Sequence, residues 1–168
     1  AWDVSTASYE SKEVSVSSQE TSPYGLSFKT DGTKMYILGN TGGSVFQYAL
    51  STAWDISTAS YDSVSYSVSS LGAFPLSVVF NDTGTEMYTT SSGNSQFVRV
   101  HTLTTAWDVS TASHTGSLDT SVDITAGAIN GISFANSGQK MYFSQQGPDT
   151  IYQYSTVLTT NTLDLSSG

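Results

Sequence analysis

The chain has 168 residues and a mass of 17.8 kDa, which is enough for one domain with an apolar core and short of two ordinary domains of ~100–150 residues. Five Lys and Arg stand against 14 Asp and Glu, a formal net charge of −9, so we expect no nucleic-acid partner, because such proteins neutralise phosphates with clustered cations. Cysteine is absent, which excludes disulfides, thiol catalysis and thiolate metal sites, and no apolar run approaches the ~20 residues of a membrane span.

Two motifs recur three times along the chain in constant phase. The first, Ala-Trp-Asp-Val/Ile-Ser-Thr-Ala-Ser, begins at residues 1, 53 and 106. The second has Phe, Gly and Met-Tyr at fixed spacing and occupies 28–36, 80–88 and 134–142. Recurrence of this kind indicates a repeat protein. We therefore divide the single unit 1–168 into repeats 1–52, 53–105 and 106–160, with a tail at 161–168.

Within the first repeat, the pattern predicts short strands joined by turns. Residues 24–28 and 35–38 form a predicted hairpin around an Asp-Gly turn. The Gly-rich segment 39–43 leads to a third strand at 44–50, and a fourth strand follows the Trp-Asp motif at 61–68. No segment has the 3.6-residue period of a helix over the ~10 residues that a helix needs. The sequence therefore predicts an all-β protein with three four-stranded units.

A four-stranded unit of this length is typical of a propeller blade, in which the first strand lines the central channel and the fourth lies outside. The hairpin motif Lys-Thr-Asp-Gly-Thr-Lys-Met-Tyr at 29–36 and its two copies resemble the repeats of six- and seven-bladed propellers in secreted, periplasmic and phage-borne proteins. The Trp-Asp motif is similar to repeats of marine phage and bacterial proteins. This resemblance covers nearly the whole chain and implies a β-propeller, but no particular activity.

Three blades are too few for a closed ring, since propellers have about four to eight. Open faces such as Met35/Ile37 and Val45/Tyr48 would expose more apolar surface than a monomer tolerates. The first repeat also starts with a fourth-strand sequence that no first, second or third strand precedes. We therefore expect a homodimer that closes a six-bladed ring, in which each N-terminal strand pairs with a third strand of the other copy.

The Trp-Asp motif is interpreted as structural. We expect Asp3, Asp55 and Asp108 to accept backbone hydrogen bonds two or three residues on, and the preceding tryptophans to fill the space between blades. Calcium is the weaker alternative, because it would need about six or more oxygens and no second carboxylate lies nearby in each copy. The sequence therefore predicts no cofactor.

Residues that differ between equivalent positions are free to serve a ligand. The connections between repeats and the loops after the second strands differ in this way, and both lie on the rim opposite the Trp-Asp motif. Aromatic rings here could stack on a sugar face, with amides as donors and acceptors, although each residue could equally be an ordinary turn residue. The predicted ligand-binding residues are Glu20, Tyr24, Asn40, Phe74, Asn94, Asn130, Gln145, Gln146 and Asp149.

Catalysis has little support in the sequence. His101 and His114 stand alone, and the free carboxylates are too scattered in register for an acid–base pair. Among the propellers that the chain resembles, calcium-dependent hydrolytic ones carry carboxylates and Asn at the channel mouth. This chain has Tyr24, Leu76 and Asn130 in those places.

The sequence therefore favours a protein that is not an enzyme: a recognition or scaffold module, such as a phage-borne or secreted glycan-binding propeller. The alternatives are a metal-dependent hydrolase of the lactonase-like propeller type and a purely structural component of a particle. Abundant serine and threonine with little charge suit an extracellular or virion-associated protein with a glycan or cell-surface ligand.

Overall fold

The computed structural model describes residues 3–92, 96–121, 123, 127–147, 149–159 and 162–164. Its strands form two four-stranded sheets, one three-stranded sheet and a separate two-stranded hairpin, and all the pairings are antiparallel. The only helices among these residues are 3₁₀ turns of three residues, and none is long and apolar enough to cross a membrane.

The strands follow one another in space as they do in sequence. Sheet 1 consists of β1 (Pro23–Phe28), β2 (Lys34–Gly39), β3 (Ser44–Leu50) and β4 (Ala59–Ser67). Sheet 2 consists of β5 (Pro75–Phe80), β6 (Glu86–Ser91), β7 (Phe97–Leu103) and β8 (Ala112–Asp119). Sheet 3 consists of β9 (Ala128–Ala135), β10 (Lys140–Gln146) and β11 (Thr150–Ser155). A separate hairpin follows it, made of β12 (Val157–Thr159) and β13 (Thr162–Asp164).

Each sheet buries its apolar residues against the next sheet. One core cluster joins sheets 1 and 2 through residues such as Leu38, Val45 and Met87. A second joins sheets 2 and 3 through residues such as Val98 and Met141. The first strands lie side by side, β1 next to β5 and β5 next to β9, so they occupy the inner side of the arrangement.

The outer face of sheet 1 is covered by the N-terminal segment. Met35, Ile37 and Tyr48 are buried on this face, and Val14 and Val16 pack against them. This segment is a fourth-strand sequence by its motif, but no strand among the described residues pairs with it. Its apolar side chains therefore shield a face that would otherwise be open to water.

The aspartates of the Trp-Asp motif have the predicted structural role. Asp3, Asp55 and Asp108 each accept a hydrogen bond of 3.0–3.1 Å from the backbone N–H of the serine two residues on. Each thereby caps a 3₁₀ turn, at Val4–Thr6, Ile56–Thr58 and Val109–Thr111. The carboxylate oxygens are thus used in local turns, as expected of an Asx turn.

The indole rings lie over glycines. Trp54 covers Gly32 and Trp107 covers Gly84, and a Cβ at either glycine would collide with the ring. Both glycines have positive φ, 74° and 69°, as the tight turn between the first two strands requires. Gly138 in the third repeat has the same positive φ, at 83°, although no tryptophan follows it in the sequence. The turn therefore requires glycine in all three repeats, and the indole ring adds a second reason at Gly32 and Gly84.

The expectation that every tryptophan is buried between sheets is wrong for Trp54. Trp107 is 8% exposed because it lies between Tyr36 of sheet 1 and Phe80 of sheet 2, whereas Trp54 is 60% exposed. Trp54 contacts Phe28 in its own sheet, but none of the sheets that the structure describes precedes sheet 1 to cover the other side of the ring. Trp2 lies outside the described residues.

Candidate functional site

The candidate site is the rim formed by the connections between sheets and the loops after the second strands. In each sheet a β-bulge interrupts the pairing of the first strand at this rim. The residues left unpaired are Tyr24, Leu76 and Asn130. Because bulges redirect side chains, the same backbone device positions these three on the inner strands.

Three predicted ligand-binding residues are exposed at this rim. Tyr24 is 63% exposed and Phe74 is 53% exposed, and Asn130 is exposed as well. The φ of Phe74 is 55°, and its carbonyl accepts a 2.9 Å hydrogen bond from the N–H of Ser92. Phe74 is thus held in a sparsely populated conformation with its ring in solvent. Whether any of the three binds a ligand stays a prediction.

Glu20 is part of the rim's internal structure instead of its surface. Its side chain is buried, and its carboxylate accepts backbone hydrogen bonds from Ser22 at 2.7 Å, Thr41 at 3.1 Å and Gly42 at 2.8 Å. Burial raises the pKa of this carboxyl, but these backbone donors outweigh it and lower the pKa below its ordinary value. The sequence did not predict this role, because it does not determine the shape of the turns that bring the three N–H groups together.

The other predicted residues are divided between surface and interior. Gln145 is buried, at 3% exposure, whereas Gln146 and Asp149 are exposed and Asn40 is half-buried. Asp149 has a φ of 54°, the left-handed conformation that Asn and Asp tolerate in turns. Asn94 lies outside the described residues. The structure therefore does not bring the whole predicted set together at one point.

Sheet 2 contains a buried polar cluster that sequence reasoning missed. The hydroxyl of Thr89 lies 2.9 Å from Nε2 of His101, and Nδ1 of His101 lies 3.4 Å from the hydroxyl of Tyr66. Burial, with the nearby charges of His114 and Arg99, lowers the pKa of His101 to about 3. The imidazole is therefore neutral at pH 7 and has a structural role. The sequence did contain a signal for this cluster, because the polar Thr89 of sheet 2 stands at the position of the apolar Ile37 of sheet 1.

The described residues offer no metal centre. Among them, no group of three or more His, Asp or Glu side chains is arranged to hold a metal ion. The donor set that the metal-dependent form of the hydrolase alternative would need does not fit this part of the chain.

Comparison with known proteins gives matches in structure only. No protein-family model and no curated protein sequence matches the chain. A candidate 6-phosphogluconolactonase from Bacteroides uniformis matches with a TM-score of 0.62 and 12% identity, over 84% of this chain and 38% of its own. The periplasmic gluconolactonase of Pseudomonas aeruginosa matches with a TM-score of 0.56 and 13% identity, over 84% and 39%. The β-propeller domain of Cps50 (Swd1) from Myceliophteria thermophila matches with a TM-score of 0.54 and 14% identity, over 79% and 37%.

The fold is propeller-like. At these identities the likeness concerns the fold, which agrees with the sheets described above and with the sequence prediction of an all-β repeat protein. The chain spans less than two fifths of the length of these structures. The proposed origin in a phage and the glycan ligand stay predictions.

The expectation of a non-catalytic recognition or scaffold module is corrected by these likenesses. Two of the three structures have names of lactone-hydrolysing enzymes. The expectation that the protein is not an enzyme is corrected on the same ground. It rested on the lack of an acid–base constellation in one sequence, but sites on a propeller's channel draw residues from several sheets. The lactonase-like alternative is therefore better supported.

Proposed function

We propose that the protein hydrolyses the ester bond of a sugar lactone, and that its working form is a six-bladed ring of two copies. The observation that supports this activity is that the chain has a sheet arrangement similar to those of a candidate 6-phosphogluconolactonase and a periplasmic gluconolactonase. In this reaction the oxygen of water bonds to the ring carbonyl carbon and the ring C–O bond breaks. The product is a hydroxy acid, and no other reactant is needed.

The inner rim offers neutral groups for such a substrate. The Tyr24 hydroxyl and the Asn130 amide stand at equivalent bulges on the inner strands, and both side chains are exposed. Each can donate a hydrogen bond to a carbonyl oxygen as negative charge develops on it. In a ring of two copies each group would occur twice around the axis.

The ring is supported first by the conformation of the N-terminal segment. Residues 3–17 repeat the local structure of residues 55–69, which include the whole of β4. The shared features are the φ angles of Ser11 and Ser63, at 58° and 59°, and the 3.0 Å hydroxyl contacts between Ser15 and Ser17 and between Ser67 and Ser69. The segment is therefore shaped as the fourth strand of a sheet.

Sheet 3 supplies the matching vacancy. Its third strand, β11, pairs with β10 along one edge, and no described strand pairs with its other edge. In sheets 1 and 2 that edge is paired with β4 and β8. An open strand edge is a template for another strand. The N-terminal segment of a second copy has the sequence and the shape to complete sheet 3.

The contact between sheets 1 and 2 provides the pattern for the ring interface. The Tyr36 hydroxyl donates a 2.7 Å hydrogen bond to the carbonyl of Trp107, and Oε1 of Gln47 accepts one of 3.1 Å from the N–H of Val109. Tyr36 and Gln47 face each other in the register of β2 and β3. Two side chains of one sheet thus bind the backbone of the Trp-Asp turn of the next.

Sheet 3 has the same pair of residues, and no further four-stranded sheet follows it in the described part of the chain. Tyr142 and Gln153 face each other in the register of β10 and β11, as Tyr36 and Gln47 do in sheet 1. At the other end of the molecule Trp54, 60% exposed, begins a Trp-Asp turn. We infer that Tyr142 and Gln153 bind the carbonyl of Trp54 and the N–H of Ile56 in the second copy.

The assembly is tested by light scattering over a range of protein concentrations. We expect a particle of twice 17.8 kDa. Gln153 is exposed, so Gln153→Leu should leave the single copy folded and raise the dimer dissociation constant about tenfold, because the N–H of Ile56 loses its acceptor. Gln146→Leu, on the exposed rim, is the matched control and should not change it. A wild-type mass of 17.8 kDa at every concentration would contradict the ring.

The activity is tested by following acid release at constant pH from gluconolactone and from its 6-phosphate, with spontaneous hydrolysis subtracted. We expect the dimer to accelerate one or both reactions, and Asn130→Ala to lower kcat/KM about a hundredfold. Thr30→Ala, exposed at the opposite rim, should retain the wild-type rate. A dimer that accelerates neither reaction contradicts the activity and leaves the ring standing.

A further inference from the structure

Three equivalent spaces lie at the rim, where the start of each first strand pairs with the end of the second strand. The pairs are Pro23 with Gly39, Pro75 with Ser91, and Ile129 with Gln145. The chain that enters each first strand passes beside its pair. The three repeats fill these spaces differently.

In sheet 1 the space is filled by an acid from the entering chain. The side chain of Glu20 lies against Gly39, so closely that a Cβ at Gly39 would collide with it. The carboxylate is satisfied by the three backbone N–H groups described above. The fold thus already accommodates one carboxylate in this position.

In sheet 3 the space is filled from the opposite side. Gln145, at the end of β10, is 3% exposed, and a Cβ at Gly127 in the entering chain would lie 2.7 Å from its Nε2. A large side chain on one side is therefore matched by a glycine on the other, as Glu20 is matched by Gly39 in sheet 1.

In sheet 2 neither side supplies a large residue. Gly72 stands at the position of Glu20, and Ser91 stands at the position of Gln145. A pocket of about 190 Å³, a volume that includes the solvent space at its mouth, remains between sheets 1 and 2. Its walls include Val68, Leu71 and Pro75, and its polar side is made by Thr90, Ser91 and Arg99.

The polar side of this pocket has unused hydrogen-bonding capacity. Thr90 is 1% exposed and Ser91 is 6% exposed, and neither hydroxyl oxygen has a hydrogen-bond partner among the residues that the structure describes. Nε of Arg99 is buried as well and has no hydrogen-bond partner within those residues. Buried polar atoms are nearly always satisfied, so three in one pocket point to a bound group.

Arg99 is held in place by its other contacts. Its Nη1 donates a 2.9 Å hydrogen bond to the hydroxyl of Ser117, and its guanidinium carbon lies 4.2 Å from the centre of the Phe97 ring. Asp119 is near enough for its charge to act on this guanidinium, but no carboxylate forms an ion pair with it within the described part of the chain. The pocket therefore has a positioned cation and two free hydroxyls where sheet 1 has its own anion.

We propose that the pocket between sheets 1 and 2 is a binding site for the carboxylate of a small molecule, with Nε of Arg99 and the hydroxyls of Thr90 and Ser91 as donors. A guanidinium N–H and neighbouring hydroxyls are the donors that a carboxylate prefers. The carboxylate of Glu20 in sheet 1 is the internal precedent for its size and position. This site does not depend on the lactone-hydrolysing activity.

The test uses acetate as the probe and the full chain, at constant ionic strength. NMR should show saturable shifts of the Arg99 Nε–H resonance and of the backbone amides of Thr90 and Ser91. Arg99→Gln should weaken the apparent affinity about tenfold or more, because a charge-assisted bond is lost. Lys140→Gln removes the same charge from sheet 3 and should leave the affinity unchanged.

A second variant keeps the test decisive if Arg99→Gln fails to fold. Gly72→Glu combined with Ser91→Gly recreates the Glu20 and Gly39 pair of sheet 1, and φ of Gly72, at 162°, is extended backbone that any residue adopts. The variant should keep dispersed spectra and lose its response to acetate. Acetate shifts that persist in this variant, or that never saturate in the wild type, would overturn the site. Equal shifts with chloride or sulfate would overturn its assignment to a carboxylate.

Discussion

The hydroxyl of Tyr36 donates a hydrogen bond of 2.7 Å to the main-chain carbonyl of Trp107, 71 residues further along the chain. Tyr36 is fully buried, and this burial raises the pKa of its hydroxyl above the ordinary value. The bond joins the second strand of one sheet to the turn that follows the third strand of the next. A repeating side chain thereby binds a repeating turn across the boundary between two sheets.

Tyr36→Phe should lower the free energy of unfolding by about 1–3 kcal/mol, because the buried carbonyl of Trp107 is left without its donor. Urea denaturation measures this change. Tyr24→Phe is the matched control, since Tyr24 is exposed, and it should change stability by less than about 0.5 kcal/mol. Equal losses in the two variants would mean that the interface bond contributes nothing.

The two tryptophans should differ when each is truncated. Trp107→Ala removes a buried ring between two sheets and should cost about 3–5 kcal/mol. Trp54→Ala removes a ring that is 60% exposed and should cost about 1 kcal/mol when the copies are separate. Denaturation at protein concentrations below the dimer dissociation constant makes the comparison. A large loss for Trp54→Ala under those conditions would show that a single copy buries this ring.

His101 should make stability depend on pH above the range where carboxylates titrate. Its folded pKa is about 3, first because of burial, and the unfolded imidazole has a pKa near 6.5. The stabilisation from the neutral imidazole is therefore complete above pH ~6.5. Below that pH, the free energy of unfolding falls by about 1.4 kcal/mol per pH unit until the pH reaches the folded pKa. Urea denaturation between about pH 7.5 and about pH 5 should show this slope.

His101→Gln should remove most of that slope, because an amide can still reach the Thr89 hydroxyl but takes up no proton. His114→Gln, at an exposed imidazole, is the control and should keep most of it. A slope that survives His101→Gln would assign the pH dependence to other groups.

Glu20 should contribute stability that acid removes. Its folded pKa is lowered by three backbone donors that outweigh the effect of burial, so its contribution is present above the ordinary Glu pKa of about 4.3 and is lost as the pH falls through the folded value. At neutral pH, Glu20→Gln should cost about 1–3 kcal/mol, because the amide turns a donor toward backbone donors. The gap between variant and wild type in urea denaturation should close at acid pH. Glu13→Gln, at an exposed carboxylate, should open no such gap.

Local chemistry repeated three times was predictable from the sequence. The aspartate caps at Asp3, Asp55 and Asp108 depend only on residues within three positions, and the strand pairs depend on alternation and turn residues within one repeat. Such features need no knowledge of neighbouring sheets. The predicted strands at 24–28 and 44–50 accordingly agree with β1 and β3 to within one residue.

Only the tertiary structure decided how equivalent residues differ between repeats. Trp54 and Trp107 occupy the same motif, yet one is exposed and the other buried, because sheet 1 precedes sheet 2 and covers Trp107, whereas no sheet precedes sheet 1 among the described residues. Glu20 and Gln145 were predicted on the surface, yet each fills a space whose size depends on a glycine in a distant segment. Periodicity determines what a residue can do within its own sheet, whereas the contact between sheets determines whether water, another side chain or a ligand occupies the space beside it.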